Sequence, residues 1–435
     1  MNSTITQTRN VSLCGDYDVV VCGGGPSGVM AAIAAARGGA RTAIVERYGF
    51  FGGMATAGLV APISVFNYNG RRIIDGLPWE FVSRMAEVGG AEEEKPLGNI
   101  TFAPEIYKLT AQRMLLEAGV KLYLHSYITD CIKDSGNRIT HIVMEGKSGA
   151  RAISGRVFVD ATGDADLGAL AGVPMQVRKG ELQPASLIFM LGGADTDNLP
   201  MIRHSRQGVN YVDLDMRKVL TELRETMHIP VFGGPWYCGV LAKGIVLVNI
   251  TRLNVDMTDT DAATDAECTL HEHAALFASL MKKHIPAFAD SFLLATAPQT
   301  GVRETRHLLG AHVLTGEEYL GCVKFEDTVS RGCHPVDIHS AGSTRQRCEF
   351  MKDAGFVPYR SLYTPSFPNY LVAGRALSAD PVAFASLRVQ ASCMGTGQAA
   401  GAAAALSVKN GVDVDKVDIE ALRGILLDFG ANLDN

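Results

Sequence analysis

The sequence predicts an α/β fold: a mainly parallel sheet with helices packed on it, carrying an inserted α+β domain. Three observations predict it. A short β-branched strand ends in three glycines and runs straight into a helix. A second apolar strand follows within about thirty residues. Near the C-terminus another strand ends in glycine ahead of a helix of small residues.

Each element follows from its residue pattern. Tyr17 to Cys22 is β-branched throughout its centre with no polar alternation, the mark of a strand buried on both faces. Ser27 to Arg37 sets Val29, Ile33 and Ala36 at helical spacing, and Gly38-Gly39 stops the helix. Arg41 to Glu46 is the second strand and completes a βαβ unit. Pro104 to Glu117 reads as a helix. Lys121 to Leu124, the stretch around Ile128, Ile139 to Glu145 and Ala152 to Val159 read as strands, with Asn137 in a hairpin turn. Arg156 to Asp160 returns to the buried parallel type, and a helix is expected to start near Ala165. Tyr370 to Gly374 repeats the strand-then-glycine pattern, and a small-residue helix is expected from about Ser386 to Lys409. Residues 177–358 mix strands, helices and long polar segments. The parallel-sheet domain is therefore expected to be discontinuous, 1–176 and 359–435, with a substrate-facing domain, 177–358, inserted.

Composition narrows the function. A chain of 435 residues is too long for one simple core. A net charge of −6 supplies no basic stripe, which argues against nucleic acid as a partner. The first fifteen residues are polar, unlike a secretory or transit leader, and the longest small-apolar stretch, Ala399 to Val408, is too short to span a bilayer. The expectation is a cytoplasmic enzyme with no membrane span; a homo-oligomer is left open. Nine scattered cysteines with no CxxC spacing speak against a disulfide framework, a structural zinc site, a redox disulfide and an iron–sulfur cluster.

The strongest local signal is Gly23-Gly24-Gly25-Pro26-Ser27-Gly28, set between strand and helix, with Glu46 at the end of the next strand. Gly23 permits the tight turn, Gly25 lets backbone approach a pyrophosphate, and Gly28 lets helix and strand pack closely. The helix N-terminus offers free N–H groups and partial positive charge to a diphosphate, and Glu46 can accept from ribose hydroxyls. The pattern is that of a Rossmann-like dinucleotide site; a ligand-free glycine turn is the bland alternative. NAD and FAD share it.

Three further segments tip the balance to FAD. Phe51-Gly52-Gly53-Met54-Ala55-Thr56 could turn backbone amides toward a diphosphate or a ring, although a plain Gly-Gly turn reads the same way. Ala161-Thr162-Gly163-Asp164 puts a carboxylate at a strand end, where it could meet sugar hydroxyls, cap a helix, or do both. Val372-Ala-Gly374-Arg375 and Met394-Gly-Thr-Gly397-Gln398-Ala-Ala-Gly401 could close over a flavin, or simply permit tight helix packing.

These stretches together resemble the FAD-dependent oxidoreductase family of glutathione-reductase-like flavoproteins, in particular a bacterial subgroup carrying ERYGFFGGMATAGLV. FVDATGDADLGALAG, GVRETRHLLGAHVLTGEEYL, VDIH, VPYRSLY and LVAGRALSAD match as well, so the resemblance runs from about Tyr17 to Leu406. It implies a Rossmann-like FAD-binding domain of glutathione-reductase type with an inserted α+β substrate domain. It implies Gly23, Gly25, Gly28, Gly52 and Gly53 at the diphosphate, Glu46 on the ribose, Ile128 at the adenine, Asp164 near the sugar chain, and Gly397 and Gln398 beside the flavin. Pro26, Ser27, Arg47, Met54, Ala55, Thr56, Gly163, Gly374 and Arg375 complete the expected cofactor set. Many relatives have an acidic residue where this chain has Arg375, so its role stays open between diphosphate, flavin and structure.

The substrate side offers fewer signals. Arg303-Glu-Thr-Arg306 could clamp a carboxylate, or form an internal ion-pair network. Cys333-His-Pro-Val-Asp-Ile-His339 places His334 and His339 around Asp337, a pattern suited to moving a proton alongside hydride transfer. Structural histidines are the alternative. Tyr359 and Arg360 are weaker candidates, and His271-Glu-His273 has the wrong spacing for a helical metal site.

No second glycine-rich fingerprint follows Asp160, which argues against a separate NAD(P)H domain. The function expected is hydride transfer between a small organic substrate and flavin N5, with the electron donor or acceptor unknown. A flavin monooxygenase, an NAD-dependent dehydrogenase and a non-catalytic flavin protein are the alternatives.

Overall fold

Two apolar runs joined through a glycine turn and a helix start the main sheet. A computed structural model describes residues 5–95, 98–176, 182–199, 214–340, 342, 344 and 346–434. Ser12–Cys22 lies between Thr42–Val45 and Gly149–Asp160, parallel to both. Lys121–Tyr123 extends the sheet in parallel on one side, and Tyr370–Val372 pairs in parallel with the end of Gly149–Asp160. The other half of that long strand runs antiparallel to Ile139–Gly146, which pairs with Tyr127–Lys133. Asn137 turns the hairpin between those two in the left-handed region, φ 60°.

This topology positions the site. The register aligns Cys22 with Val45 and Asp160, Val45 with Tyr123, and Asp160 with Val372, so five parallel strands end at one edge. In open α/β sheets that carboxyl edge is where ligands bind. The fold is thus mixed α/β with a parallel-strand sheet.

The helices Pro26–Arg37 and Gln390–Asn410 pack against each other over the sheet. Gly397 and Gly401 set their spacing, since a Cβ at either would lie 2.1 Å from the carbonyl oxygen of Ser27 or Ala31. The single helix expected from about Ser386 is in fact two, Pro381–Leu387 and Gln390–Asn410. Asp380 caps the first through the N–H groups of Val382 and Ala383, both at 2.9 Å, and Val389 breaks the run in extended backbone.

A second core belongs to an antiparallel sheet in the order Phe232–Gly239, Ile245–Thr251, Phe189–Gly192, Phe292–Thr296. The helix Thr260–His284 buries Leu270, Ala274, Phe277 and Met281 against it. Leu314, Tyr319, Val329 and Val357 pack into the first core, although they lie inside the span 177–358. The expected boundary at 177 falls outside the described residues. Among the described residues no helix is long and apolar enough to cross a membrane, and no group of three metal-ligating side chains occurs. The cysteines are free thiols.

Candidate active site

Loops at the ends of the parallel strands enclose a groove of about 930 Å³. Its floor is backbone: Gly23, Gly24, Gly25, Pro26 and Ser27 from the first turn, Gly53 and Met54 from the second, and Ala161, Thr162, Gly163 and Asp164 from the third. The Pro26–Arg37 helix opens onto it with no side-chain cap, leaving its first-turn N–H groups for a ligand. A Cβ built on Gly25 meets nothing closer than Gly53 Cα at 3.9 Å, so the groove is open there.

Glu46 and Ile128 line one end, with Arg47 and Ser126. Glu46 is buried, and its carboxylate accepts from Gly24 N at 2.6 Å and Tyr48 N at 2.9 Å. Burial outweighs these bonds and raises its pKa. Asp164 accepts from Thr305 Oγ1 at 2.7 Å and Arg375 Nη2 at 3.0 Å. Burial pushes that carboxyl up, yet the Arg375 charge and Thr305 prevail and hold it below the usual range. Asp166, beside it, is pushed up to about 6 by burial and by the Asp164 and Asp160 charges. Gly163 sits at φ 85°, and a Cβ there would meet Arg375 Nη2 at 2.6 Å. Glycine is what lets the guanidinium lie across this turn.

Beyond Met54 the groove opens into an inner cavity of about 1630 Å³, and Met54, Arg375, Arg388 and Gln390 line both. Arg375 Nη1, Arg388 Nε and Gln390 Oε1 are buried there without a hydrogen-bond partner among the described residues. Buried polar atoms of this kind call for a ligand. The open floor at Gly25, the uncapped helix and these orphaned atoms together fit an extended dinucleotide cofactor with a polar ring at the junction.

The inner cavity holds His334, Asp337, His339 and Arg303. Asp337 is the hub. Its Oδ2 accepts from His339 Nε2 at 3.0 Å and Arg388 Nη2 at 3.2 Å, and Oδ1 accepts from Gln346 Nε2. Burial opposes ionisation, but the facing His339 and Arg388 hold the carboxyl far below its ordinary value. Arg252 Nη2 donates to His339 Nδ1 at 2.8 Å, which assigns the proton to Nε2 and occupies both ring nitrogens. Burial lowers the pKa of His339 to about 4, so the ring is neutral at pH 7. His339 thus has both ring nitrogens engaged by Arg252 and Asp337.

His334 differs. Its Nδ1 donates to Pro335 O at 2.7 Å, leaving the Nε2 lone pair without a hydrogen bond among the described residues. Burial lowers its pKa too, which keeps Nε2 unprotonated at neutral pH. Cys333 lines the cavity as well, but burial pushes its thiol up to about 12, too high for a thiolate.

Several expected site residues lie elsewhere. Arg303 and Arg306 do not form one clamp, because the segment between Gly301 and His307 is not helical. Arg306 turns outward to Asp166 Oδ1 at 3.2 Å. Gly28 does not line the groove; its Cβ would meet Gly23 O at 1.9 Å, so it serves helix–strand contact. Gly52 joins the two glycine loops through Gly52 N to Gly24 O at 2.8 Å. Ala55 and Thr56 are buried beneath that loop. Gly374, at φ 77°, lies against Ser27 and donates to Thr396 Oγ1 at 3.1 Å. Gly397 is a packing residue, and Gln398 Oε1 accepts from Leu77 N at 2.7 Å, holding a helix start away from the groove. Tyr359 is buried with its hydroxyl on Val414 O at 2.7 Å, and Arg360 pairs with Asp327. His271 and His273 sit on the Thr260–His284 helix, and among the described residues they belong to no metal-ligating group.

Sequence reasoning missed Arg388, Gln390, Arg252 and Trp236. The ring of Trp236 stands edge-on to His339 with centroids 5.5 Å apart. Only the Arg388-Val-Gln390 break between two helices carried any local signal.

A family model described as FAD dependent oxidoreductase matches residues 18–426. No curated protein matches the chain. A flavoprotein/dehydrogenase from Cytophaga hutchinsonii is 14% identical over 95% of this chain and 86% of its own, with a TM-score of 0.49. A geranylgeranyl bacteriochlorophyll reductase-like protein from Thermoplasma acidophilum is 13% identical over 96% and 82%, TM-score 0.46. A p-nitrophenol 4-monooxygenase from Pseudomonas putida is 12% identical over 96% and 87%, TM-score 0.45. None of the three bears on substrate or reaction.

Proposed function

The chain belongs to the FAD dependent oxidoreductase family, and on that premise we propose that it moves a hydride equivalent to or from a small organic substrate bound in the inner cavity. It is an FAD-dependent enzyme, and bound FAD supplies the two-electron redox chemistry. The observation that carries the reading is the sharing of Met54, Arg375, Arg388 and Gln390 by groove and cavity, which puts a substrate site against the groove's inner end.

Gly23, Gly25, Gly53 and the open end of the Pro26–Arg37 helix would hold the diphosphate. Glu46, with Ser126 and Ile128 nearby, would take the adenosine end, and Asp164 and Arg375 the sugar chain. The antiparallel strands Tyr127–Lys133 and Ile139–Gly146 leading into Gly149–Asp160 support a glutathione-reductase type of FAD domain. The discontinuous domain, 1–176 with 359–435, and the inserted domain are proposed on the same footing.

In the cavity, His334 Nε2 accepts or returns the substrate proton. Asp337, His339, Arg252 and Arg388 form the fixed frame around it. Val60, Ile188, Trp236 and Val302 exclude water. The test is anaerobic. Oxidised enzyme is mixed with alcohols, hydroxy acids and amines, and reduced enzyme with oxo acids and enoates, while the flavin bands are followed. At least one compound should exchange electrons, and His334→Asn should slow that exchange by about 100–10,000-fold with FAD content unchanged. An unaltered rate in the variant would remove His334 from the reaction.

A further inference from the structure

We propose that the substrate is a small organic acid without an ammonium group, held through its carboxylate by Arg303; this rests on the inner cavity being the substrate site. Arg303 is anchored on one edge only. Its Nη1 donates to Pro184 O at 2.6 Å and Ser186 Oγ at 2.7 Å. Among the described residues no carboxylate pairs with it, while Arg375 has Asp164 and Arg388 has Asp337. Among the described residues the Nε and Nη2 edge has no hydrogen-bond partner.

A half-buried guanidinium lacking a counter-ion is unfavourable, and an anionic ligand restores the balance. Burial and the nearby Arg388 and Arg252 push the Arg303 pKa down to about 9, which still leaves it cationic at neutral pH. One free planar edge with two N–H directions matches one carboxylate, with a single negative charge.

The same wall rejects ammonium. Among the described residues Asp337 is the only acidic side chain lining the cavity, and His339, Arg388 and Gln346 already occupy it. An amino acid would bring its ammonium into a space facing arginines, with no acceptor of matching charge. Val60, Ile188, Trp236, Val302 and Phe350 line much of the remainder, beside the uncharged polar Ser64, Asn99 and Asn249, so the body of the acid is mainly apolar or aromatic and carries no second charge.

The experiment uses the FAD-loaded enzyme and isothermal titration with benzoate, benzamide, benzylamine and phenyl phosphate. Benzoate should bind about 10–100-fold more tightly than benzamide. Arg303→Gln should bring the two close to equal by weakening benzoate alone, and Arg303→Lys should keep part of the preference. FAD content checks that each variant folds; if both lose FAD, the wild-type ratio alone decides. Equal binding of benzoate and benzamide, tightest binding of benzylamine, or tighter binding of phenyl phosphate than of benzoate would each overturn the assignment. Selectivity for benzoate with no electron exchange in any anaerobic mixture would instead overturn the redox reading and leave the anion site standing.

Discussion

The groove and the inner cavity share four residues but are built in opposite ways. The groove is made of backbone at the ends of adjacent parallel strands, with glycine wherever two chains or a ligand must approach. The cavity is made of side chains from segments around 60, 186, 236, 301, 334 and 388, which meet only through tertiary packing. Its frame is a charge network around Asp337, with Arg303 standing outside the pairing, whereas the groove presents the first-turn N–H groups of an uncapped helix. A backbone-built site tolerates any side chain that stays out of the way. A side-chain-built site depends on each member keeping its partner.

The largest effects that sharpen this contrast come from two glycines three residues apart. Gly28→Ala puts a methyl 1.9 Å from Gly23 O, a clash with backbone that cannot rotate away. It should cost about 1–3 kcal/mol of stability, read by urea unfolding, and most of the bound FAD. Gly25→Ala has no such clash, its nearest contact being 3.9 Å away, and its φ of −72° suits alanine. Stability should change by less than about 0.5 kcal/mol. FAD affinity should nevertheless fall about tenfold or more, a loss of at least about 1.4 kcal/mol, because the methyl occupies the groove. If Gly25→Ala binds FAD as the parent does, the cofactor does not cross that turn.

In the cavity the telling residue is His339. Its pKa is lowered to about 4 in the folded protein, against about 6.5 in the unfolded chain. Between those values the unfolded state binds more protons, so stability rises with pH across the window and is lost as pH falls from about 6.5 to 4. His339→Gln removes that dependence. Urea midpoints between pH 4 and 7 should show the parent losing roughly 1–3 kcal/mol relative to the variant. Parallel curves would mean that the ring is not held neutral by its surroundings.

The same contrast explains what was legible in the sequence. Tyr17 to Glu46 announces its strand, turn, helix and acidic residue within one stretch, because parallel-strand ends place chemistry next to the pattern that forms them. The Pro104–Glu117 helix has the bounds its composition suggests. Gln398 and Gly397 resemble cofactor residues in sequence but face another helix, since helix phase cannot be read from a run of small residues alone. Arg303 and Arg306 look like one clamp only if their segment is helical, and it is not. Arg388 was silent because its meaning depends on Asp337, about fifty residues earlier and brought near only by packing. Of the two histidines, sequence could not tell which has a free nitrogen; Arg252 and Pro335 decide that.

The smallest effect, and the one that most directly sets the groove against the cavity, belongs to Asp166. It lines the groove with its pKa raised to about 6, chiefly by burial and then by Asp164 and Asp160. Here the folded state binds more protons than the unfolded one between about 3.9 and 6, so stability falls as pH rises through that window. The sign is opposite to that of His339. With 35% of its side chain exposed, solvent screens much of the interaction, and the difference should stay below about 1 kcal/mol. Asp166→Asn keeps an oxygen for Arg306 while removing the charge, so the FAD-free variant should be slightly more stable than the parent at pH 7 and equal to it near pH 4. If the gain appears at pH 4 instead, the carboxylate is ionised throughout, and Arg306 rather than the acidic neighbours governs it. The groove would then share the paired-charge logic of the cavity, and the contrast between them would narrow to backbone against side chain alone.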